Sequence, residues 1–454
     1  MSVIKHKYHR LFLLAFILVL CSTISFVFNK LTVASPLLIS GFIITCIAMR
    51  GYPNVSGLIF TMWMFTAIAI ALSYPHTFQS YGDFRLSRLI PPLLQIIMFG
   101  MGSQMSLRDF SGVLKMPQGV FVGLLCHYSM MPCIGYSIAK LFGFPPEIVV
   151  GIILLACTPS GMASNVIVFL GKGNLALAIT VTAFSTMLSP FLTPFLLKFI
   201  AGQLVHVDVI EMMMEIVKMV LFPIIAGLSF NNFCFDGAKR KSIYWQLCVF
   251  FIIIILKNLI VSIILHTLFK VAIISFFGDL LIFFILPSLA GLLLKQYIKG
   301  NRIILSRILS LISQVGLVII TIIIIANGYD TLLSKWGLLM VPAMLLHNCF
   351  GYLFGYWFCR FIHMKEQDCR ALSIEVGMQN GGLASAMAVK LQVMEQTSRQ
   401  TNHPGINTTD LTKIGTGFAI PAAVFSPIQG ITGSVLAMWF RNRPVREESE
   451  TVQN

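Results

Sequence analysis

Apolar runs of about 20 residues recur along this chain from residue 10 almost to the C-terminus, separated by short polar stretches. A helix needs about that many apolar residues to cross a hydrocarbon core roughly 30 Å thick. The pattern predicts fourteen spans, at 10–28, 33–49, 56–75, 86–105, 115–142, 146–171, 174–200, 210–230, 244–266, 271–294, 305–327, 336–361, 368–391 and 412–440. Two of them differ from the rest. Spans 146–171 and 368–391 carry glycine and uncharged polar side chains at mid-membrane depth, where a lipid-facing helix would carry leucine. The first reads T-P-S-G-M-A-S-N from Thr158 to Asn165, the second E-V-G-M-Q-N-G-G from Glu375 to Gly382. Pro159 and the glycines loosen the helical ladder, and the backbone groups they free are tolerated only where protein or a hydrated cavity surrounds them.

The placement of the two breaks adds to the picture. Five spans lie between residues 55 and 200 and seven between 210 and 440, and both numbers are odd. An odd-numbered unit followed by its copy is inverted in the membrane, which is the plan of many secondary transporters. The fold class expected is therefore an all-α polytopic membrane protein, with two inverted repeats and paired discontinuous helices. Residues 1–54 hold two N-terminal helices, 55–200 the first repeat, 201–440 the second, longer by a pair of spans near 236–300, and 441–454 a cytoplasmic tail.

Composition agrees with a lipid setting: 57% of the 454 residues are hydrophobic, 11% are charged, and the mean hydropathy is +0.86. The basic start from Met1 to Arg10 precedes an apolar run without a small-residue cleavage site, so it reads as a retained helix. The ten cysteines are scattered through apolar runs with no C-x-x-C spacing and read as packing residues. The net charge of +15 is spread over many short loops, which argues against nucleic acid. With the N-terminus inside, 20 of the 32 Lys+Arg fall on the cytoplasmic side, 10 outside, and Lys218 and Lys257 within spans. That bias puts both termini in the cytoplasm of a bacterial inner membrane or its equivalent. The sequence shows no H-E-x-x-H, G-x-S-x-G or Walker loop, so no enzyme is expected, and no protein partner is deducible.

Around the two breaks the chain resembles the bile acid:sodium symporter family, whose members carry a proline-glycine-x-alanine-serine-asparagine break in one half and a glutamate-x-glycine-x-glutamine-asparagine break in the other. The likeness extends through Pro92 to Gly102, Phe144 to Gly151 and Leu188 to Pro194, and covers roughly 55–235 and 280–440. The family fold has ten helices, in core and panel domains, so four helices here are extra: set beside it, the two in residues 1–54 are additional and the pair near 236–300 is inserted. Both Leu221 to Leu228 and Ile285 to Leu292 look like the family's sixth helix.

The resemblance implies a cation-coupled carrier of a small organic anion such as a bile acid, keto acid or other carboxylate, with one or two sodium ions. One ion would be held by Ser164, Asn165, Thr182 and Glu375, although Ala178 stands where the family has a further hydroxyl. The second would be held by Glu375, Gln379 and the carbonyls of Val376 and Met378. A family glutamine completes that set, and here its place is taken by His127, which exchanges an ion for a proton or is simply hydrogen-bonded. The anion would lie between the breaks, near Met162, Ala163 and Asn380, facing half-helix N-termini. Met162 replaces a frequent threonine and is either an apolar substrate wall or a packing residue.

A carboxylate at the depth of Glu375 costs about 2.5 to 3.5 kcal/mol on insertion scales and persists when matched by a cation. Lys257 and Asp279 lie at similar depths in the added segment and read as a structural pair. Asn407-Thr408-Thr409 is formally a glycosylation sequon. An arsenite-type oxyanion carrier, with Cys157 near the first break, and a transport-deficient receptor or sensor are the competing readings.

Overall fold

The computed structural model describes residues 2–52, 58–82, 84–105, 115–161, 163–235, 302–402 and 417–443. Met162, Lys257, Asp279, the sequon at Asn407, the helix pair near 236–300 and most of the tail lie outside the described residues. Helices α1 (Ser2–Val27), α2 (Leu31–Met49), α3 (Ile59–Ser73) and α4 (Pro75–Gln79) come first, then a small hairpin of Ser80–Tyr81 with Phe84–Arg85. Next come α5 (Ile90–Gly102), α6 (Pro117–Leu125), α7 (Met131–Leu141), α8 (Pro146–Ala156), α9 (Ala163–Leu170), α10 (Leu175–Ala201), α11 (Val209–Ile216) and α12 (Phe222–Phe235). The chain continues with α13 (Arg302–Asn327), α14 (Tyr329–Leu333), α15 (Lys335–Phe361), α16 (Glu366–Gly377), α17 (Gly381–Asn402) and α18 (Ile420–Arg441).

The fold is that of an all-α polytopic membrane protein. Among the described residues seven helical stretches are long and apolar enough to cross a membrane, and three shorter apolar helices accompany them. Twelve of the fourteen predicted spans overlap helices; 244–266 and 271–294 fall outside the described residues. One boundary is corrected. The polar stretch expected from Gln392 onward continues α17 as helix to Asn402, supported by the Glu395 to Arg399 pair one turn apart at 2.7 Å.

The described residues form two compact units. One comprises 1–90, 112–213 and 318–454, the other 91–111 and 214–317. In the second unit α5 and α12 approach closely where Gly102 meets the Ile224 backbone and Gly227 meets that of Phe99. Small residues allow that approach.

The first unit holds both breaks, and its α10 is inverted relative to a helix of a soluble protein. Along α10, Thr182, Ser185, Thr186, Ser189 and Thr193 are buried, while Phe191, Phe195 and Phe199 face outward. Lipid rewards that arrangement, because the apolar rings need no shielding and the hydroxyls find carbonyl acceptors inside. The most enclosed helices are α8, buried from Ile148 to Ala156, and α16, buried from Cys369 to Gly377. These are the two that run into the breaks.

A π turn, Cys126–Met130, joins α6 to α7, and Pro132 follows two residues later. Proline has no N–H to continue the ladder, and the widened turn absorbs the fault. It places His127 at the breaks.

Candidate functional site

The first discontinuity separates α8 from α9, the second α16 from α17, and the two unwound segments lie against each other. Ser160 and Gln379 form an antiparallel bridge. Asn380 N donates to Pro159 O at 2.8 Å, and Gly161 N to Met378 O at 3.4 Å. Each break thus satisfies part of the other's freed backbone, in a place where water does not.

The remaining groups are served by side chains. His127 is fully buried, with Nδ1 3.2 Å from Glu375 O and Nε2 2.8 Å from Thr158 O, one carbonyl from each break. Gln379 Nε2 donates to Val376 O at 3.2 Å, and Asn348 Nδ2 to Gly377 O at 2.8 Å. Gln379 N donates to Gln429 Oε1 at 3.0 Å. Every carbonyl freed between Glu375 and Met378 has a partner, as burial demands.

Glu375 sits at the centre, fully buried. One carboxylate oxygen accepts from Ser164 Oγ and the other from Thr182 Oγ1 at 2.8 Å. Ser160 Oγ lies 3.4 Å from Ser164 Oγ. Asn165, half-buried beside Ser164, has its Oδ1 enclosed without a hydrogen-bond partner, and so has Gln379 its Oε1. Among the described residues no three His, Cys, Asp or Glu side chains form a cluster, so this is an oxygen site of one carboxylate, hydroxyls, amides and carbonyls. Such a set suits a hard monovalent cation, and an unpaired buried acceptor costs about 1 to 3 kcal/mol until one arrives.

The structure brings together Ser164, Asn165, Thr182, Glu375, Val376, Met378, Gln379 and His127. Ala178 is fully buried and contributes its carbonyl, 3.0 Å from the Thr182 hydroxyl, rather than a side-chain oxygen. Ala163 opens α9 and is exposed. Asn380 has a role the sequence did not suggest: its Oδ1 accepts from Leu383 N at 3.0 Å and caps α17. Its oxygen is used, which leaves the amide hydrogens for a ligand. Met162 lies outside the described residues.

Sequence reading missed Ser160, Asn348, Gln429, Thr432 and Arg370. The polar pair His347-Asn348 in the middle of an apolar span was the available signal for one of them. Arg370, fully buried, bonds Glu366 Oε1 at 2.8 Å, Phe440 O at 2.9 Å and Arg443 O at 3.3 Å. Nearby, Asn174 Nδ2 donates to Asp368 Oδ1 at 2.7 Å and Asn174 N to Gln367 O at 2.9 Å. Together these contacts tie the turn after α9 and the end of α18 to the start of α16.

The model of the sodium bile acid symporter family matches residues 91–263. An uncharacterized sodium-dependent transporter of Bacillus subtilis (strain 168) is 28% identical over 88% of this chain and 96% of its own length. An alignment of that extent takes in both breaks. A chloroplastic protein of Arabidopsis thaliana, named a probable sodium/metabolite cotransporter, is 30% identical over 78% of this chain and 67% of its own. The ileal sodium/bile acid cotransporter of Oryctolagus cuniculus is 35% identical over 23% of this chain and 30% of its own.

Proposed function

The chain belongs to the sodium bile acid symporter family, and from that premise we propose that it is a secondary carrier moving a small organic anion together with sodium by alternating access. The observation that carries the reading is Glu375, a buried carboxylate held by the Ser164 and Thr182 hydroxyls with two unpaired amide oxygens in the same breaks. Hydroxyl donors share its charge without neutralising it, and a cation does the rest. In this reading Ser164, Asn165, Thr182 and Glu375 hold one sodium ion. Glu375, Gln379 and the carbonyls of Val376 and Met378 make the second place.

The anion is a carboxylate lying between the breaks. The Asn380 amide hydrogens offer it donors, and the N-terminal ends of α9 and α17 a partial positive charge. Names of relatives support sodium as the coupling ion and a metabolite or bile acid as cargo. Residues 55–200 and 201–440 are the inverted repeats, and both termini are cytoplasmic, in a bacterial inner membrane or its equivalent.

His127 supports a second reading of the stoichiometry. Both ring nitrogens point at carbonyl oxygens, which only accept. A ring that donates twice is an imidazolium, and it takes the place of the second ion as a bound proton.

The test is uptake of labelled bile acids, keto acids and other carboxylates into proteoliposomes, with sodium and proton gradients imposed separately. An inward sodium gradient drives accumulation, and Glu375→Gln lowers it by about tenfold or more, the weight of one lost ion contact. Uptake indifferent to both gradients overturns the carrier reading. A proton contribution that disappears in His127→Gln assigns the second place to a proton, and a gradient response unchanged by that substitution returns it to sodium.

A further inference from the structure

Gln379 has an orientation with no freedom in it, and its cause lies on two helices that the ion-binding residues do not occupy. Gly377 O can only accept, so the Asn348 atom facing it is the amide nitrogen. Asn348 Oδ1 is then turned to the Thr432 hydroxyl, which donates to it. The backbone N–H of Gln379 can only donate, so Gln429 presents its Oε1 there, at 3.0 Å. Val376 O, again an acceptor, fixes Gln379 Nε2 at 3.2 Å. One atom remains. Gln379 Oε1 is enclosed and forms no hydrogen bond of normal geometry, with the His127 ring beside it.

Asn348 and Gln379 are fully buried and Gln429 is nearly so. Asn348 lies in α15, and Gln429 and Thr432 lie one turn apart in α18. Tyr352, one turn beyond Asn348, brings its hydroxyl to within 3.4 Å of both Thr432 Oγ1 and Gln429 O and closes the group. None of these four side chains touches the Glu375 carboxylate.

We propose that Asn348, Gln429 and Thr432 are positioning residues, which hold the second break so that Gln379 Oε1 waits as a preset cation ligand. The inference rests on the sodium-coupled reading above. Without the Gln429 contact the Gln379 N–H has no acceptor and its peptide is held only through the long Gly161 bond to Met378 O, its side chain can turn its nitrogen inward, and the site has to order that residue when the ion arrives. The consequence falls on ion affinity beyond any loss of stability from the unpaired Gln379 N–H, because the ion then has to order Gln379 as it binds.

The experiment is thermal unfolding of the purified full chain in detergent, titrated with sodium chloride against choline chloride at matched ionic strength. For the unaltered chain the melting temperature rises with sodium alone. In Gln429→Met the sodium concentration giving half the rise increases about fivefold, the weight of one hydrogen bond, alongside a lower melting temperature in choline. Thr432→Val shifts the same midpoint in the same direction, and Thr432→Ser, which keeps the hydroxyl, restores it. If Gln429→Met does not fold, the Thr432 pair decides between the outcomes. A lowered melting temperature in choline with an unmoved sodium midpoint makes the group merely structural and overturns the inference. An unaltered chain blind to sodium overturns the cotransport reading itself, and this inference with it.

Discussion

At Gly161 the crossing of the two breaks leaves no room for a side chain. A Cβ there would stand 2.8 Å from the carbonyl oxygen of Gln379, which already accepts from Gly381 N and is flanked by the bonds of Met378 O to Gly161 and of Asn380 N to Pro159. Nothing flexible is available to yield. Gly161→Ala therefore pushes the breaks apart at the point where they exchange hydrogen bonds, and overpacking of this kind costs about 1 to 3 kcal/mol. The expected result is a lower melting temperature in choline together with a weaker response to sodium. A variant that melts and binds sodium like the parent would show that the crossing is looser than its geometry. Ser164 and Thr182 act differently, because each places one hydroxyl on the carboxylate. Ser164→Ala or Thr182→Val would be felt at Glu375 while the crossing stays intact.

Among the helices, the anchoring of α16 is set by a single buried arginine. Arg370 reaches Glu366 in its own helix and the carbonyls of Phe440 and Arg443 at the end of α18, with its guanidinium 5.3 Å from the Phe440 ring. Helix ends leave carbonyls unpaired, and a planar fork of donors satisfies several at once where an ammonium satisfies one. Arg370→Lys therefore lowers stability by about 2 kcal/mol, the worth of a hydrogen bond to a charged group. Differential scanning fluorimetry of the variant in detergent, with and without sodium, measures it. An unchanged melting temperature would show that these contacts add nothing to stability. This anchoring was not legible in the sequence. The breaks were, because Pro159, Ser164 and Glu375 are costly at membrane depth whatever surrounds them. Their mutual crossing, the π turn that delivers His127, and the reach of Asn348 and Gln429 to the second break depend on contacts between residues far apart in sequence. Asn380 shows the same limit, since a polar residue at a break reads equally as ligand or cap, and the cap is visible only in the bond to Leu383. The end of α17 was missed for a simpler reason: hydropathy marks where lipid stops, and a helix held by pairs such as Glu395 and Arg399 continues past it.

For the whole molecule, charge is the quantity that sets orientation. A net charge of +15 gains nothing from the bilayer unless it is distributed, and here Lys+Arg are twice as frequent in the loops assigned to one side as in those assigned to the other. The clusters Lys239-Arg240-Lys241 and Lys295 to Arg307 contribute much of the difference, as do the basic residues before α1 and after α18. If two further helices stand ahead of the family's first helix, they preserve the direction of everything that follows, since a pair enters and leaves on the same face. The same parity holds for a pair added near 236–300. The expectation is thus that both termini share the cytoplasmic face and that the turn at Asn29-Lys30 lies opposite. Expressed in a bacterium, a fluorescent protein fused after residue 454 should fluoresce, while alkaline phosphatase fused after Asn29 should be active and after Arg50 inactive. Active phosphatase at the C-terminus would reverse the orientation. It would also place the ends of α9 and α18 near Arg370 on the outer face, and so reverse the side from which each of the two breaks is approached.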